Sequence, residues 1–325
     1  MVKLSKENHI RGIFMNIKLC PYKGGAKGAY TLTFDDGCYR ESTLFTTDLF
    51  KEIYEKTGVK IKATSFQTVN FLHEGLISMW QDAIKEGWYD IGGHSLDHCI
   101  CFNSKTPRQE LENDARLTYE RLKALYPSEE LITYATPGGG SDKEGRAPLM
   151  DYYMAVRNGN DALNIPKEID WLDVCTFTAT LDKENEDYKR HIDSVIENGG
   201  WSVQINHWIT EKQEDKFHAQ KKSTFVFECE YLARLALENK IWIASFNDAV
   251  KYIMKYEGAS LDASEDGDIV TVSLKNTLPR LKDVSLSIEI DSDEPFVVLG
   301  QDEKELCGKQ ILEITDTLRL KKVRK

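Results

Sequence analysis

The chain has 325 residues, room for two domains and a sizeable core, and its 41% apolar and 29% charged make-up excludes a disulfide miniprotein, a collagen and a disordered chain. Lys and Arg number 42 against 53 Asp and Glu, and the resulting charge of −11 repels a phosphate backbone, so nucleic acid is not an expected partner. No run of about 18 apolar residues occurs, so no membrane span is expected.

The N-terminal run MVKLSKENHIRGIFMNIKLC breaks its apolar residues with charges and has no signal-peptide core. The seven scattered cysteines read as reduced thiols. Together these predict a cytoplasmic protein, or a secreted one if a leader has been removed. From about residue 28 to 256, short β-rich runs alternate with amphipathic helical stretches, the pattern of a parallel α/β fold. Strands are predicted at Ala29–Phe34, Ile61–Phe66, Tyr89–Gly92, Ile132–Thr136, Met154–Arg157, Val174–Thr178, Ser202–Asn206 and Ile241–Ser245. Seven or eight such units point to a barrel. Helices are predicted at Ser42–Lys56, Leu76–Glu86, Pro107–Leu125, Lys189–Asn198, Phe225–Glu238 and Phe246–Tyr256. Glu257–Asp268, rich in small residues and acids, reads as a boundary, after which IVTVSLK, VSLSIEI, PFVVLG and ILEITDTL follow without a helix. The expected organisation is an α/β barrel over residues 1–257 and a small β-sandwich-like accessory module over 258–325. The basic end LRLKKVRK reads as a solvated terminus.

Three constellations carry chemistry. The strand AYTLTF runs into Asp35-Asp36-Gly37, two adjacent carboxylates at the strand end that is catalytic in barrels. Such a pair repels itself unless a cation or a proton intervenes, although Asp-Gly alone is also a turn dipeptide. After YDIGG comes His94-Ser95-Leu96-Asp97-His98, whose spacing puts two imidazoles on one side of a helical turn. With Asp36 they make a His2Asp set with an open position, the donor set of a catalytic divalent ion: Zn2+ by preference, with Co2+, Ni2+ or Mn2+ as alternatives. His207, in Ile205-Asn206-His207, ends a third strand and suits an acid that protonates a departing amine or alkoxide. Cys99 and Cys101 read as small thiols beside a site of hard donors. Pro137-Gly138-Gly139-Gly140 lacks the Lys-Ser/Thr of a phosphate loop and reads as a loop on the substrate side.

These residues resemble the polysaccharide deacetylase family, the NodB-homology carbohydrate esterases. Thr33–Gly37 looks like that family's first motif, His94–His98 its second and Ile205–His207 its fifth, and KATSF and IWIASFNDAVKYI are similar to further parts of the domain. The resemblance implies a distorted (β/α)7 barrel, a divalent metal on Asp36, His94 and His98, Asp35 as base and His207 as acid. The third motif departs from the family pattern: Tyr134–Gly139 offers Pro137 and Gly138 but no Arg, which makes Arg157 the candidate to hold Asp35. Asp170, beside Trp171, and Asp173 are alternatives for the Asp of the fourth motif, and Trp171 and Trp208 are candidates to stack on a sugar. The implied activity is removal of an N- or O-acetyl group from an acetylated carbohydrate. Hydrolysis of a cyclic ureide or imide, and silent carbohydrate binding, are the alternatives.

Overall fold

The computed structural model describes residues 9–11, 15–212, 219–301 and 304–323. Its elements in chain order begin with strands β1 (His9–Arg11), β2 (Met15–Leu19) and β3 (Gly28–Phe34), helix α1 (Arg40–Thr57), β4 (Ala63–Gln67), α2 (Glu74–Lys85) and β5 (Tyr89–Gly93). They continue with α3 (Arg108–Leu125), β6 (Thr133–Ala135), a one-turn α4 (Lys143–Arg146), β7 (Ala155–Asp161), β8 (Val174–Thr178), α5 (Asn185–Asn198) and β9 (Trp201–Asn206). Two-residue strands β10 (Ile209–Thr210) and β11 (Gln220–Lys221) lead to α6 (Lys222–Leu237), β12 (Ile241–Ile243) and α7 (Phe246–Gly258). The last strands are β13 (Ala259–Asp266), β14 (Ile269–Asn276), β15 (Leu286–Val298), β16 (Leu306–Ile314) and β17 (Thr317–Lys322). Among the described residues, no helix is long and apolar enough to cross a membrane.

Strands β3 to β9 pair in parallel in chain order, and β9 returns to β3 along Ala29–Phe34, closing a seven-stranded barrel. The fold class read from the sequence is therefore the observed one. The distortion lies at β3, whose other edge is divided between β12 at Gly28–Tyr30 and β4 at Thr33–Phe34. Every residue of β3, β4, β5 and β9 is buried, as both-face coverage of parallel strands requires. Outside the barrel wall, Phe50, Ile53, Trp80, Tyr89, Phe225 and Leu232 join one apolar cluster under α1, α2 and α6.

A buried polar knot sits between this wall and α6. Glu228 Oε2 accepts from Gln204 Nε2 at 3.1 Å and Gln220 Nε2 at 2.8 Å, while Oε1 lies 2.8 Å from the Tyr30 hydroxyl. The single phenolic proton of Tyr30 also faces Gln204 Oε1 at 2.5 Å. With that proton given to Gln204, the contact between Tyr30 and Glu228 requires a proton on the carboxyl. Burial independently pushes Glu228 up from 4.5 to about 7. The folded carboxyl thus stays protonated while the unfolded one ionises, so stability falls as pH rises through 4.5 to 7, by on the order of 3 kcal/mol. Glu228→Gln supplies the same shape with a permanent donor for Tyr30. Thermal melts should find it more stable than wild type at pH 8, with the two converging toward pH 5.

β10 and β11 pair only with each other, in parallel, and seven further strands form one antiparallel sheet in the order β1-β2-β15-β17-β14-β13 with β16 on β15. The chain divides into two compact units, Lys27–Val250 and a second that unites the segment up to Ala26 with Lys251 onward. The N-terminal segment, placed by sequence in the same unit as the barrel, differs because β2 pairs with β15 from Met15↔Ser292 to Leu19↔Ile288 and buries Ile17 and Leu19. The segment expected as a boundary contains β13, which pairs with β14 over its full length. The expected solvated terminus is β17 up to Lys322, with Leu318 and Leu320 buried; Arg324 and Lys325 lie outside the described residues. Deleting 259–325 would leave β2 without its partner. A fragment of residues 1–258 should therefore scatter light as aggregates where one of residues 27–258 stays monodisperse.

Candidate metal centre

The C-terminal ends of β3, β5 and β9 bring the three motifs together. Asp35 N donates to Asn206 O at 2.9 Å, Thr68 N to Asp36 O at 3.2 Å, and His94 N to Gln67 O at 3.0 Å, so each strand end is tied to its neighbour. Gly37 follows with φ 74°, and a Cβ there would meet Gln67 Cγ at 2.8 Å, which is why the carboxylate pair is followed by glycine. Asp36, Ser95 and His98 also have left-handed backbones, at φ 71°, 68° and 64°. Each costs about 1–2 kcal/mol in a residue with a Cβ, so three of the five such residues described fall in one site.

His94 Nδ1 lies 2.8 Å from the Ala135 carbonyl. A carbonyl only accepts, so the proton is on Nδ1 and the lone pair on Nε2. Burial pushes His94 down to about 4, which keeps the ring neutral. Its Nε2 is 3.6 Å from Asp36 Oδ1, and His98 Nε2 is also 3.6 Å from that oxygen. Asp36 Oδ1 and His94 Nε2 are both buried without a hydrogen-bond partner, two acceptors facing each other. Such an arrangement is costly unless a cation lies between them. The ligand atoms of Asp36, His94 and His98 all fall within 4.8 Å of one another, and donors about 2.1 Å from one tetrahedral ion lie roughly 3.4 Å apart. The residues present thus fit a divalent ion. Asp36 Oδ2 accepts from Tyr39 at 3.1 Å, a contact for which the sequence offered no signal beyond the nearness of Tyr39.

Asp35 faces a different neighbour. Arg157 Nη2 donates to both of its oxygens at 2.6 Å, with both residues buried. Burial raises Asp35, but Arg157 and then His94 and His207 outweigh it and hold the carboxyl at about 2. Burial and the adjacent Asp35 charge push Asp36 up instead. The two carboxylates are thus differentiated by their surroundings. Arg157 reaches Asp35 from β7, one strand beyond the third-motif position, and its guanidinium also lies 5.0 Å from the Phe66 ring.

Two aromatic groups flank the cluster. Trp208 packs at 4.7 Å on Tyr39, and the half-exposed Phe71 lies 6.1 Å from His98 with ring planes 21° apart. Pro137–Gly139 forms a short 3-10 turn after β6, in which Gly138 has φ 67° and open space around it. Asp173 is held by Arg146 at 3.1 Å, Asn158 at 3.0 Å and Asn160 at 3.2 Å. Asp170 caps its own turn through Leu172 N at 3.0 Å and is exposed. Trp171 lies 6.3 Å from Trp201, at the opposite end of β9 from His207, because it precedes β8. Cys99 and Cys101 are exposed, and neither belongs to the Asp-His-His group.

The strand ends of this parallel barrel thus carry an Asp-His-His donor set that could hold a metal ion and, beside it, a second carboxylate held by an arginine. Residues 23–154 match the family model for polysaccharide deacetylase, which bears out the resemblance carried by the first two motifs; His207 lies beyond the matched segment. Among solved structures, the chain is similar to a polysaccharide deacetylase of Bacillus cereus, at 18% identity and TM-score 0.40 over 45% of each chain. It is also similar to a CE4 esterase of Streptococcus mutans, at 17% identity and TM-score 0.47 over 67% of this chain and 86% of that one. A third is a CE4 family pseudoenzyme of Bacillus anthracis, at 15% identity and TM-score 0.41 over 69% and 65%. The match spans less than half of the Bacillus cereus protein. Comparison with the curated proteins returned no match.

Proposed function

We propose that this chain is a metal-dependent hydrolase that removes acetyl groups, N- or O-linked, from an acetylated carbohydrate. What carries the reading is the pair of buried, partnerless acceptors Asp36 Oδ1 and His94 Nε2, with His98 beside them and the ionised Asp35 one residue away. Asp36, His94 and His98 would hold the ion, with Zn2+ favoured by the two nitrogens and one oxygen. When bound, a divalent ion lowers the pKa of water and polarises an acetyl carbonyl.

The chain's own groups supply the rest. Asp35 takes the proton of the attacking water, and Arg157 keeps Asp35 ionised and aimed while this happens. His207 gives its proton to the departing nitrogen or oxygen. Phe71 and Trp208 offer flat apolar faces for the C–H face of a sugar ring. Arg146 holds Asp173 as a structural partner, so neither enters this proposal as a reacting group. The sheet unit is proposed as an accessory module. Its described residues include no exposed large apolar ring, so glycan stacking is assigned to the barrel.

The test is acetate release from a panel of N- and O-acetylated oligosaccharides, before and after chelation and after return of Zn2+. Release that stops on chelation and returns with zinc is the expected result. Release that ignores the chelator, or none from any acetylated sugar by zinc-loaded protein, overturns the proposal.

A further inference from the structure

The turn from His94 to His98 is gripped from outside at its midpoint. Val69 N donates to Ser95 O at 3.2 Å and Asn70 N to Leu96 O at 2.8 Å, both from the segment after β4. On the other side, Leu96 N donates to Asp114 Oδ2 at 3.0 Å. Two side chains from outside hold the turn: Thr68 Oγ1 donates to His94 O at 2.9 Å at its start, and Asp114, from α3, takes the Leu96 N–H at its midpoint. Its Oδ1 accepts from Tyr134 at 3.1 Å and from Thr118 at 3.3 Å. Tyr134 directly precedes Ala135, whose carbonyl fixes the His94 ring at 2.8 Å.

Asp114 is therefore a buried carboxylate whose hydrogen-bond donors are a backbone N–H and two hydroxyls, with no cation among them. A buried charge of that kind is costly for helix packing alone, and Leu111, Ala115 and Leu122 of α3 already supply apolar packing. Ser95 and His98 sit in the left-handed region, which the segment does not favour when free. The Leu96 peptide between them is fixed on both sides, so the direction in which His98 projects depends on where Asp114 holds it.

We infer that Asp114 is a positioning residue for the metal centre: it orients the Leu96 peptide so that His94 and His98 converge on Asp36, and metal affinity depends on it although it touches no ligand. The inference rests on the reading of Asp36, His94 and His98 as a metal site.

The test measures Zn2+ affinity of the full-length, chelator-stripped protein by competition with a chromophoric zinc chelator, with melting temperature recorded alongside. Asp114→Ala should weaken zinc binding at least tenfold, the scale on which groups behind metal ligands act. Asp114→Asn, whose carboxamide oxygen still accepts from Leu96 N–H, should stay within about threefold of wild type. Leu111→Ala, on the same helix, should lower the melting temperature with no change in affinity. Should Asp114→Ala not fold, Asp114→Glu moves the acceptor by one methylene and should also weaken binding. Wild-type affinity in a folded Ala or Glu variant overturns the inference, as does an equal loss in Leu111→Ala. Wild-type protein that takes up no Zn2+ instead overturns the metal reading itself.

Discussion

Asp35→Asn is expected to bind zinc as wild type does yet to lose turnover by about 10²–10⁴, the contribution of a general base. Asp36→Asn is expected to lose the metal. The two residues are chemically identical and adjacent, so the asymmetry comes entirely from their surroundings. Asp36 points its free oxygen at two imidazole nitrogens 3.6 Å away, where an amide would bring no charge to a divalent ion. Asp35 spends its charge on Arg157 at 2.6 Å. Bound zinc by elemental analysis and turnover by acetate release separate the roles. Intact activity in Asp35→Asn, or undiminished zinc in Asp36→Asn, would mean that the assignment is wrong.

Arg157→Met should lower the stability of the metal-free protein by about 3–5 kcal/mol near neutral pH, because Asp35 is left buried without its cation. The pH dependence gives the sign. In wild type Asp35 is held at about 2, below its usual 3.8, so its contribution is present above about pH 4 and fades as pH falls toward 2. Without Arg157, burial dominates and the folded carboxyl titrates above the unfolded one. Its contribution then reverses, and stability drains away as pH rises above about 4. Urea melts of Arg157→Met between pH 4 and 8 should therefore show the largest deficit against wild type at the alkaline end. In the zinc-loaded variant the acid limb of the rate profile should move up by about 1–3 pH units, because a base held less firmly in its charged form protonates earlier. A deficit independent of pH would show that Arg157 acts by packing on Phe66 alone.

How far the sequence reaches is best judged residue by residue. The barrel strands were legible because a parallel strand buried on both faces is a compact β-branched and aromatic run; Val174–Thr178 is observed with the bounds read for it. Arg157 was legible only through an absence, since a third motif without Arg invited a search for another cation. The strand MNIKL alternates cleanly between buried and exposed residues, but its partner lies at the other end of the chain, and nothing local announces that pairing. Ala259–Asp266 is built from poor strand formers and is held as a strand by pairing with β14, a tertiary effect that propensity does not carry. Asp114 and Glu228 were illegible for a further reason. A single acid on an amphipathic helix looks like solvated surface until the folded chain supplies the hydroxyls, amides and peptide N–H that close over it.

The pairing of Leu19 with Ile288 also sets a schedule for synthesis. At roughly 5–20 residues per second, a ribosome needs tens of seconds to travel from one to the other, and throughout that time β2 has left the exit tunnel with an unfilled edge. The barrel strands emerge in the order in which they pair, so they can close one after another while β2 waits. Termination between the barrel and Leu286 thus yields a chain in which β2 is an open template, and that edge stays open until β15 arrives.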